Sequence, residues 1–273
     1  MTAHVGWVPE GTDISKANTA RVYDYWLGGS HNFVADQDAA RALIAVEPNV
    51  RAVARANRAF LSRAVRFMSA AGIRQFLDIG SGIPTQGNVH EIAQEAAPGS
   101  RVVYVDHDDV AVAHGKLLLD GNPDAAAVFA DLRNPETILA DPVTTALLDL
   151  DRPVGLLLGS VLHFVPDEDE PWRIVAEFRN AIAPGSFLVL SHGARSEAKR
   201  KVGDAFETVY NTRVAAQASI RAREEIMRFF DGFTLAEPGL VYTPQWRPDP
   251  GAEVPADPQD FWLLAGVGVR EGH

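Results

Sequence analysis

From residue 75 onward the chain alternates short apolar runs with longer amphipathic ones. The runs at 76–79, 101–106, 125–130, 153–160 and 186–191 lack the every-second-residue polarity of a half-exposed strand. They therefore predict strands covered on both faces, as in a parallel sheet with crossover helices such as 172–183. Two more strands, at 234–241 and 261–270, close the sheet. Between them Pro244, Pro248, Pro250, Pro255 and Pro258 mark an irregular loop. The charged segment 197–228 predicts one helix.

The first seventy or so residues show only the helical period. Ser15 is positioned to cap a helix carrying Ala20, Tyr23, Trp26 and Leu27, which Gly28-Gly29 ends. A loop through His31-Asn32-Phe33 leads to helical patterns at 37–46 and 49–71. In the latter, Val53, Phe60, Leu61, Ala64 and Met68 form an apolar stripe opposite Arg51, Arg55, Arg58 and Arg66, and Asn57 falls on the apolar side. The pattern predicts one domain spanning 1–273, with a helical cap at 1–74 and a Rossmann-like α/β core at 75–273.

Chemistry concentrates where the first strands end. Asp78-Ile79-Gly80-Ser81-Gly82 is a strand running into a Gly-x-Gly turn, the geometry of a nucleotide crevice. Thr85 stands at the position of a third glycine and could cap the following helix. A pyrophosphate is best served by bare amides and a helix N-terminus. A carboxylate at Asp78 instead suits the ammonium of S-adenosylmethionine (SAM). The second strand ends at Asp106, at roughly the 20-residue spacing from which an acid accepts ribose hydroxyls. The third run is followed by Asp131-Leu132, where the carboxylate can accept from an adenine amino group. Asp108 and Asp109 read as helix-start residues.

Composition narrows the classes. A formal charge of −11 argues against a broad nucleic-acid surface. No apolar run reaches the ~20 residues of a membrane span. Zero cysteines exclude disulfides and thiol catalysis. With no signal-peptide pattern at the N-terminus, the expectation is a cytoplasmic protein.

Across nearly its whole length the chain resembles an actinobacterial family of SAM-dependent methyltransferases once catalogued as a domain of unknown function. The blocks that carry the resemblance are Ala20-Arg21-Val22-Tyr23-Asp24-Tyr25, Gly28-Gly29, Asn32-Phe33, Arg55-Ala56-Asn57-Arg58-Ala59-Phe60-Leu61, the glycine turn, Gly87-Asn88-Val89-His90, Val103-Tyr104-Val105-Asp106, Leu162-His163-Phe164-Val165-Pro166, Leu190-Ser191-His192 and Gln245-Trp246-Arg247-Pro248. The resemblance implies a class I fold, a seven-stranded, mostly parallel sheet with the last strand antiparallel. It also implies SAM as cofactor, with S-adenosylhomocysteine as product, and leaves the methyl acceptor open.

The expected cofactor contacts are Asp78, Gly80, Ser81, Gly82, Asp106, His107, Asp131, Leu132 and Ser160. The expected acceptor pocket comprises Tyr23, Tyr25, Trp26, His31, Asn32, Phe33, Asn57 and Arg58, with His163 and His192 as candidate bases at strand ends. A small neutral or cationic acceptor suits the acidic chain. Two other readings are a SAM-binding module without catalysis and a nicotinamide-dependent oxidoreductase, the latter disfavoured by Asp78 and the missing third glycine.

Overall fold

The computed structural model describes residues 8–84, 87–195 and 200–272. Five parallel strands form the body of the sheet: β1 (Gln75–Ile79), β2 (Arg101–Asp106), β3 (Ala125–Phe129), β4 (Gly155–Gly159) and β5 (Phe187–Gly193). β8 (Leu263–Val269) lies antiparallel beside β5, Phe187 opposite Val269 and Gly193 opposite Leu263. The outer edge of β8 pairs with two fragments, β6 (Thr234–Leu235) and β7 (Val241–Tyr242). Residues 234–241 were expected to form one strand. Pro238 has no N–H to give the ladder and Gly239 takes φ +84, so the run breaks and the two pieces share the seventh position in the sheet.

Strand order is β3-β2-β1-β4-β5-β8-β6. The chain winds outward from β1 through β2 to β3, then returns to β4 on the other side of β1. That reversal opens a crevice at the carboxyl ends of the strands.

Helices cover both faces. α3 (Val50–Ala70) and α4 (Val89–Ala96) bury Phe60, Met68 and Ile92 against Phe76, Val102 and Leu157. On the opposite face α6 (Pro135–Leu139), α7 (Pro142–Leu147), α8 (Pro171–Ala181) and α10 (Arg223–Met227) bring Ile138, Leu147, Ile174, Phe178 and Ile226 to the cluster of Leu77, Val103 and Leu156. Each such side chain, fully withdrawn from water, is worth about 1.5–3 kcal/mol. Because side chains alternate across a strand, Asp78 shares the face of Phe76 and comes up beneath α3.

A third apolar cluster forms the cap. It joins Val22 and Trp26 of α1 (Thr19–Leu27), Leu43 of α2 (Val34–Val46) and Val50 at the start of α3. It also takes in Phe206 and Tyr210 of α9 (Arg200–Arg213) and Val214 just beyond it, so the cap draws on both halves of the chain. The single helix expected at 197–228 ends at Arg213. The chain then bridges back, Ala17 with Val214 and Ala194 with Arg221, before α10 begins.

Two helix starts differ from expectation. α1 is capped by Asn18, whose Oδ1 accepts from the Ala20 N–H at 2.7 Å, while Ser15 turns to Asp13. α4 starts at Val89, where the Asn88 N–H donates to Glu91 Oε2 at 2.8 Å. Thr85, the expected cap, lies outside the described residues. Gly28 does end α1 in the left-handed conformation, its N–H on the carbonyls of Asp24 and Tyr25.

Candidate functional site

A cavity of about 390 Å³ opens between the carboxyl ends of the strands and the cap. Asp78, Gly80, Ser81, Gly82, Asp106, His107, Asp131, Leu132 and Ser160 all line it, as do Tyr23, Trp26, Asn57, Arg58 and His163.

On the sheet side the floor is built by backbone geometry. Gly80 and Gly82 have φ +69 and +66, values side chains resist. A Cβ on Gly80 would strike Val161 at 2.2 Å, whereas one on Gly82 would meet nothing within 4 Å, so the turn at Gly82 leaves a cradle for a ligand. Ser160, just past β4, is also left-handed at φ +56; its N–H donates to the Ser191 carbonyl and hydroxyl oxygens.

The three acids have different surroundings. Asp78 is buried, and loss of solvation pushes its carboxyl up to about 7, with Arg58 opposing and Asp106 adding to the shift. Asp106 accepts from the Gly82 N–H at 2.7 Å and the Asp108 N–H at 2.9 Å. Asp108 in turn caps α5 (Asp109–Leu118) through the Ala111 N–H, as the sequence implied. At Asp131 burial works to raise the pKa, but the hydrogen bonds and charge of Arg133 outweigh it and hold the carboxyl below its ordinary value. Arg133 also reaches Asp169, giving the cavity an ion network at its rim.

The residues present fit SAM. Asp78 offers a carboxylate to an ammonium, and the Arg58 Nε–H is buried without a hydrogen-bond partner and so free for a carboxylate. Gly82 leaves the space between strand ends, and Asp106 stands where a ribose diol is accepted.

The cap side carries a hydrogen-bonded chain. Ser191 Oγ donates to Asn57 Oδ1 at 2.7 Å, Asn57 Nδ2 donates to Tyr23 Oη at 3.1 Å, and Tyr23 Oη donates to the Ala54 carbonyl at 3.1 Å. Asn57 on the apolar side of α3 is thereby explained: it is a buried polar link between cap and sheet. Burial raises the Tyr23 pKa, although Asn57 opposes it.

Four expected pocket residues are elsewhere. Tyr25 faces Arg41 and Arg51, whose guanidinium carbons sit 6.0 and 5.2 Å from its ring centroid. The His31 N–H and Asn32 Nδ2 both donate to Asp24 Oδ2, at 2.9 and 2.7 Å, which fixes the loop after Gly29. Phe33 packs with Ile83, Val110 and Ala111 and so braces the glycine turn from outside. These groups shape the cap's attachment and do not line the cavity.

Neither histidine is placed as a base. His192 is fully buried and absent from the cavity wall; its Nδ1–H donates to the Gly193 carbonyl and its Nε2 accepts from Arg221. Burial, then His163, hold its pKa well below the usual value. His163 does line the cavity, yet its Nδ1 accepts from the Gly193 N–H at 3.3 Å, and burial pushes its pKa down to about 3. With that nitrogen engaged, the neutral ring carries its proton on Nε2 and serves as a donor.

The sequence reading missed Arg133, Phe164, Tyr210, Gln217 and Trp262, all in the wall. Phe164 and Arg133 adjoin residues it named. Tyr210, Gln217 and Trp262 come from the distant segments that complete the cap, and no local spacing marks them.

Comparison with known proteins decides the family. The model of a family described as S-adenosyl methyltransferase matches residues 6–271. The chain belongs to this family. It is a SAM-dependent methyltransferase of class I fold, which sets aside the oxidoreductase reading. A solved structure of a candidate methyltransferase from Thermobifida fusca YX is 39% identical, covering 97% of this chain and 99% of that one, with a TM-score of 0.91. A DUF574 family protein from Streptomyces avermitilis MA-4680 is 39% identical, covering 95% and 99%, with a TM-score of 0.89. No curated protein matches the chain. Among the described residues of this methyltransferase, no helix is long and apolar enough to cross a membrane.

Proposed function

We propose that this methyltransferase binds SAM along the strand ends and methylates a small molecule held beneath the cap. The observation that carries the reading is the convergence of Asp78, Asp106 and Asp131, from the ends of three adjacent strands, on one cavity with the Gly80–Gly82 turn. The amino-acid end of the cofactor lies between the Asp78 carboxylate and the Arg58 Nε–H. Asp106 and His107 hold the ribose, Asp131 and Leu132 border the adenine, and Ser81 and Ser160 flank the sulfonium side. Tyr23, Trp26, Asn57 and His163 border the acceptor. The whole chain works as one domain, since α9 completes the cap that α1 and α2 begin. The cysteine-free composition suits a cytoplasmic enzyme.

Methyl transfer from a sulfonium asks the protein to hold a nucleophile in line and keep water out. Calorimetric titration with SAM, S-adenosylhomocysteine and NADH, beside an Asp106→Ala variant, tests the site. Micromolar binding of the first two, weakened in the variant and absent for NADH, is expected. Equal SAM binding by wild type and variant would displace the ribose assignment.

A further inference from the structure

The acceptor side of the cavity has an uneven chemistry. Its wall carries five aromatic rings, Tyr23, Trp26, Phe164, Tyr210 and Trp262 with Phe164 stacked on Tyr210 at 5.3 Å, and among the described residues no carboxylate and no lysine. The acids stay on the sheet side, and Asp169 at the rim is paired with Arg133.

The hydrogen-bonding capacity of these groups is mostly spent. Tyr23 donates to Ala54 and accepts from Asn57, and the Tyr210 hydroxyl donates to Thr19. Asn57 Oδ1 is taken by Ser191. Apart from the exposed Gln217 and the spare lone pairs on the Tyr23, Tyr210 and Thr19 hydroxyl oxygens, what remains are donors. The Trp262 indole N–H is buried without a partner, and the His163 Nε2–H is left over once Nδ1 accepts from Gly193. A buried donor left without a partner is a cost to the folded state that a ligand can relieve. Trp262 is moreover held at φ +34, a left-handed conformation that is strained for a residue other than glycine. Strain and an orphan donor thus coincide at one cavity-lining residue.

We propose that the methyl acceptor is a planar aromatic molecule that binds as an oxyanion, its oxygen held by the N–H groups of Trp262 and His163. The proposal rests on the methyltransferase reading above and names the acceptor class. The enzyme then needs no base, in keeping with a cavity that offers none on this side. Bound SAM supplies a methyl group on a positively charged sulfur. The acceptor's oxygen lone pair forms the new C–O bond while the C–S pair withdraws onto sulfur, and no proton remains to be removed. An amine acceptor would arrive protonated and find neither a carboxylate nor a base.

The test is spectroscopic and needs no turnover. 4-Nitrophenol, whose phenolate absorbs visible light, is titrated into protein saturated with S-adenosylhomocysteine across a range of pH, with benzylamine as competitor. Preferential binding of the phenolate is expected, seen as a lowered apparent pKa of the bound probe. Trp262→Phe keeps a ring and loses the N–H. Loss of a hydrogen bond to a charged group predicts phenolate binding weaker by roughly tenfold or more. His163→Leu should act likewise, and His163→Gln, which retains a donor, should restore much of the affinity. Binding of the neutral phenol instead, tighter binding of benzylamine, or no binding of the probe would each overturn the proposal. Calorimetry of S-adenosylhomocysteine on the same samples separates the outcomes: its failure to bind wild type refutes the cofactor site, and its retention in the variants shows that they fold.

Discussion

Asn57 Oδ1 accepts the Ser191 hydroxyl at 2.7 Å, a bond that ties the middle of α3 to β5 across 134 residues of chain. Ser191 Oγ also accepts from the Ser160 N–H at 2.9 Å, so one side-chain amide and one hydroxyl hold the end of β4 and the cap together. Asn57→Ala leaves buried partners unmatched and should lower unfolding free energy by about 1–3 kcal/mol. In a double-mutant cycle with Ser191→Ala, read by urea denaturation, the two losses should be less than additive. Strict additivity would mean that the residues act independently.

Asp78 should weaken the fold that carries it. Its folded pKa is raised from 3.8 to about 7, so between those values the native state holds a proton that the unfolded chain has released. Stability therefore falls as pH rises through that window, and the loss is complete above it. Asp78→Asn should be more stable than wild type near pH 8 by a few kcal/mol, at about 1.4 kcal/mol per pKa unit. The gap should close toward pH 4. Thermal unfolding of both proteins across that range measures it, and parallel curves would show that burial of Asp78 is not costly.

The same carboxyl makes cofactor binding pH-dependent. An ammonium partner selects the ionised form, so binding near pH 6 must expel a proton. SAM affinity should weaken by up to about tenfold per unit below pH 7. Calorimetry in buffers of different ionisation enthalpy should detect the released proton. Asp78→Asn should bind more weakly and show a flatter profile.

The two glycines of the turn should fail in different ways. Gly80→Ala combines left-handed backbone with a Cβ 2.2 Å from Val161 Cγ2, so the loop has to shift and both stability and SAM binding should suffer. Gly82→Ala meets no neighbour and should cost only about 1–2 kcal/mol of backbone strain, yet block the cofactor. Thermal unfolding beside titration with SAM distinguishes them. A Gly82→Ala protein of wild-type affinity would mean the cofactor does not lie over this residue.

Arg221 is buried, and it donates to the carbonyls of Leu162 and Val165, to Asp167 and to His192. It thereby pins the loop that carries His163 and Phe164 into the cavity. Arg221→Ala should destabilise by about 1–3 kcal/mol, the cost of leaving the buried acceptors it serves unmatched, since its carboxylate partner Asp167 is itself exposed. Hydrogen exchange should report lost protection at residues 161–167, and exchange unchanged there would assign the anchoring of the loop elsewhere.

The sheet side of the cavity was legible because its signals are local. An acid ending a strand and a glycine turn beside it sit within a few residues of one another, and the fold brings Asp78, Asp106 and Asp131 together by adjacency of β1, β2 and β3. The cap side was read only in part. His31 and Asn32 have the composition of pocket residues, but a buried Asp24 uses them to fix a turn, and short-range pattern does not separate those uses. Trp262 and Tyr210 reach the wall through pairings between remote segments, which spacing does not encode. The break after Arg213 is set by tertiary demand: Arg221 must enter the interior beneath the loop after β4, so the chain leaves its helix.

The Tyr210 hydroxyl meets Thr19 at 3.0 Å over a sequence separation of 191 residues, next to the bridge between Ala17 and Val214. A nascent chain therefore exposes Val22, Trp26 and Leu43 long before the helix that shields them has been made. At about 5–20 residues per second, that interval is on the order of ten to forty seconds. Helices α1 and α2 are thus candidates for chaperone shelter, and the chamber they roof takes its final form only after α9 has been translated.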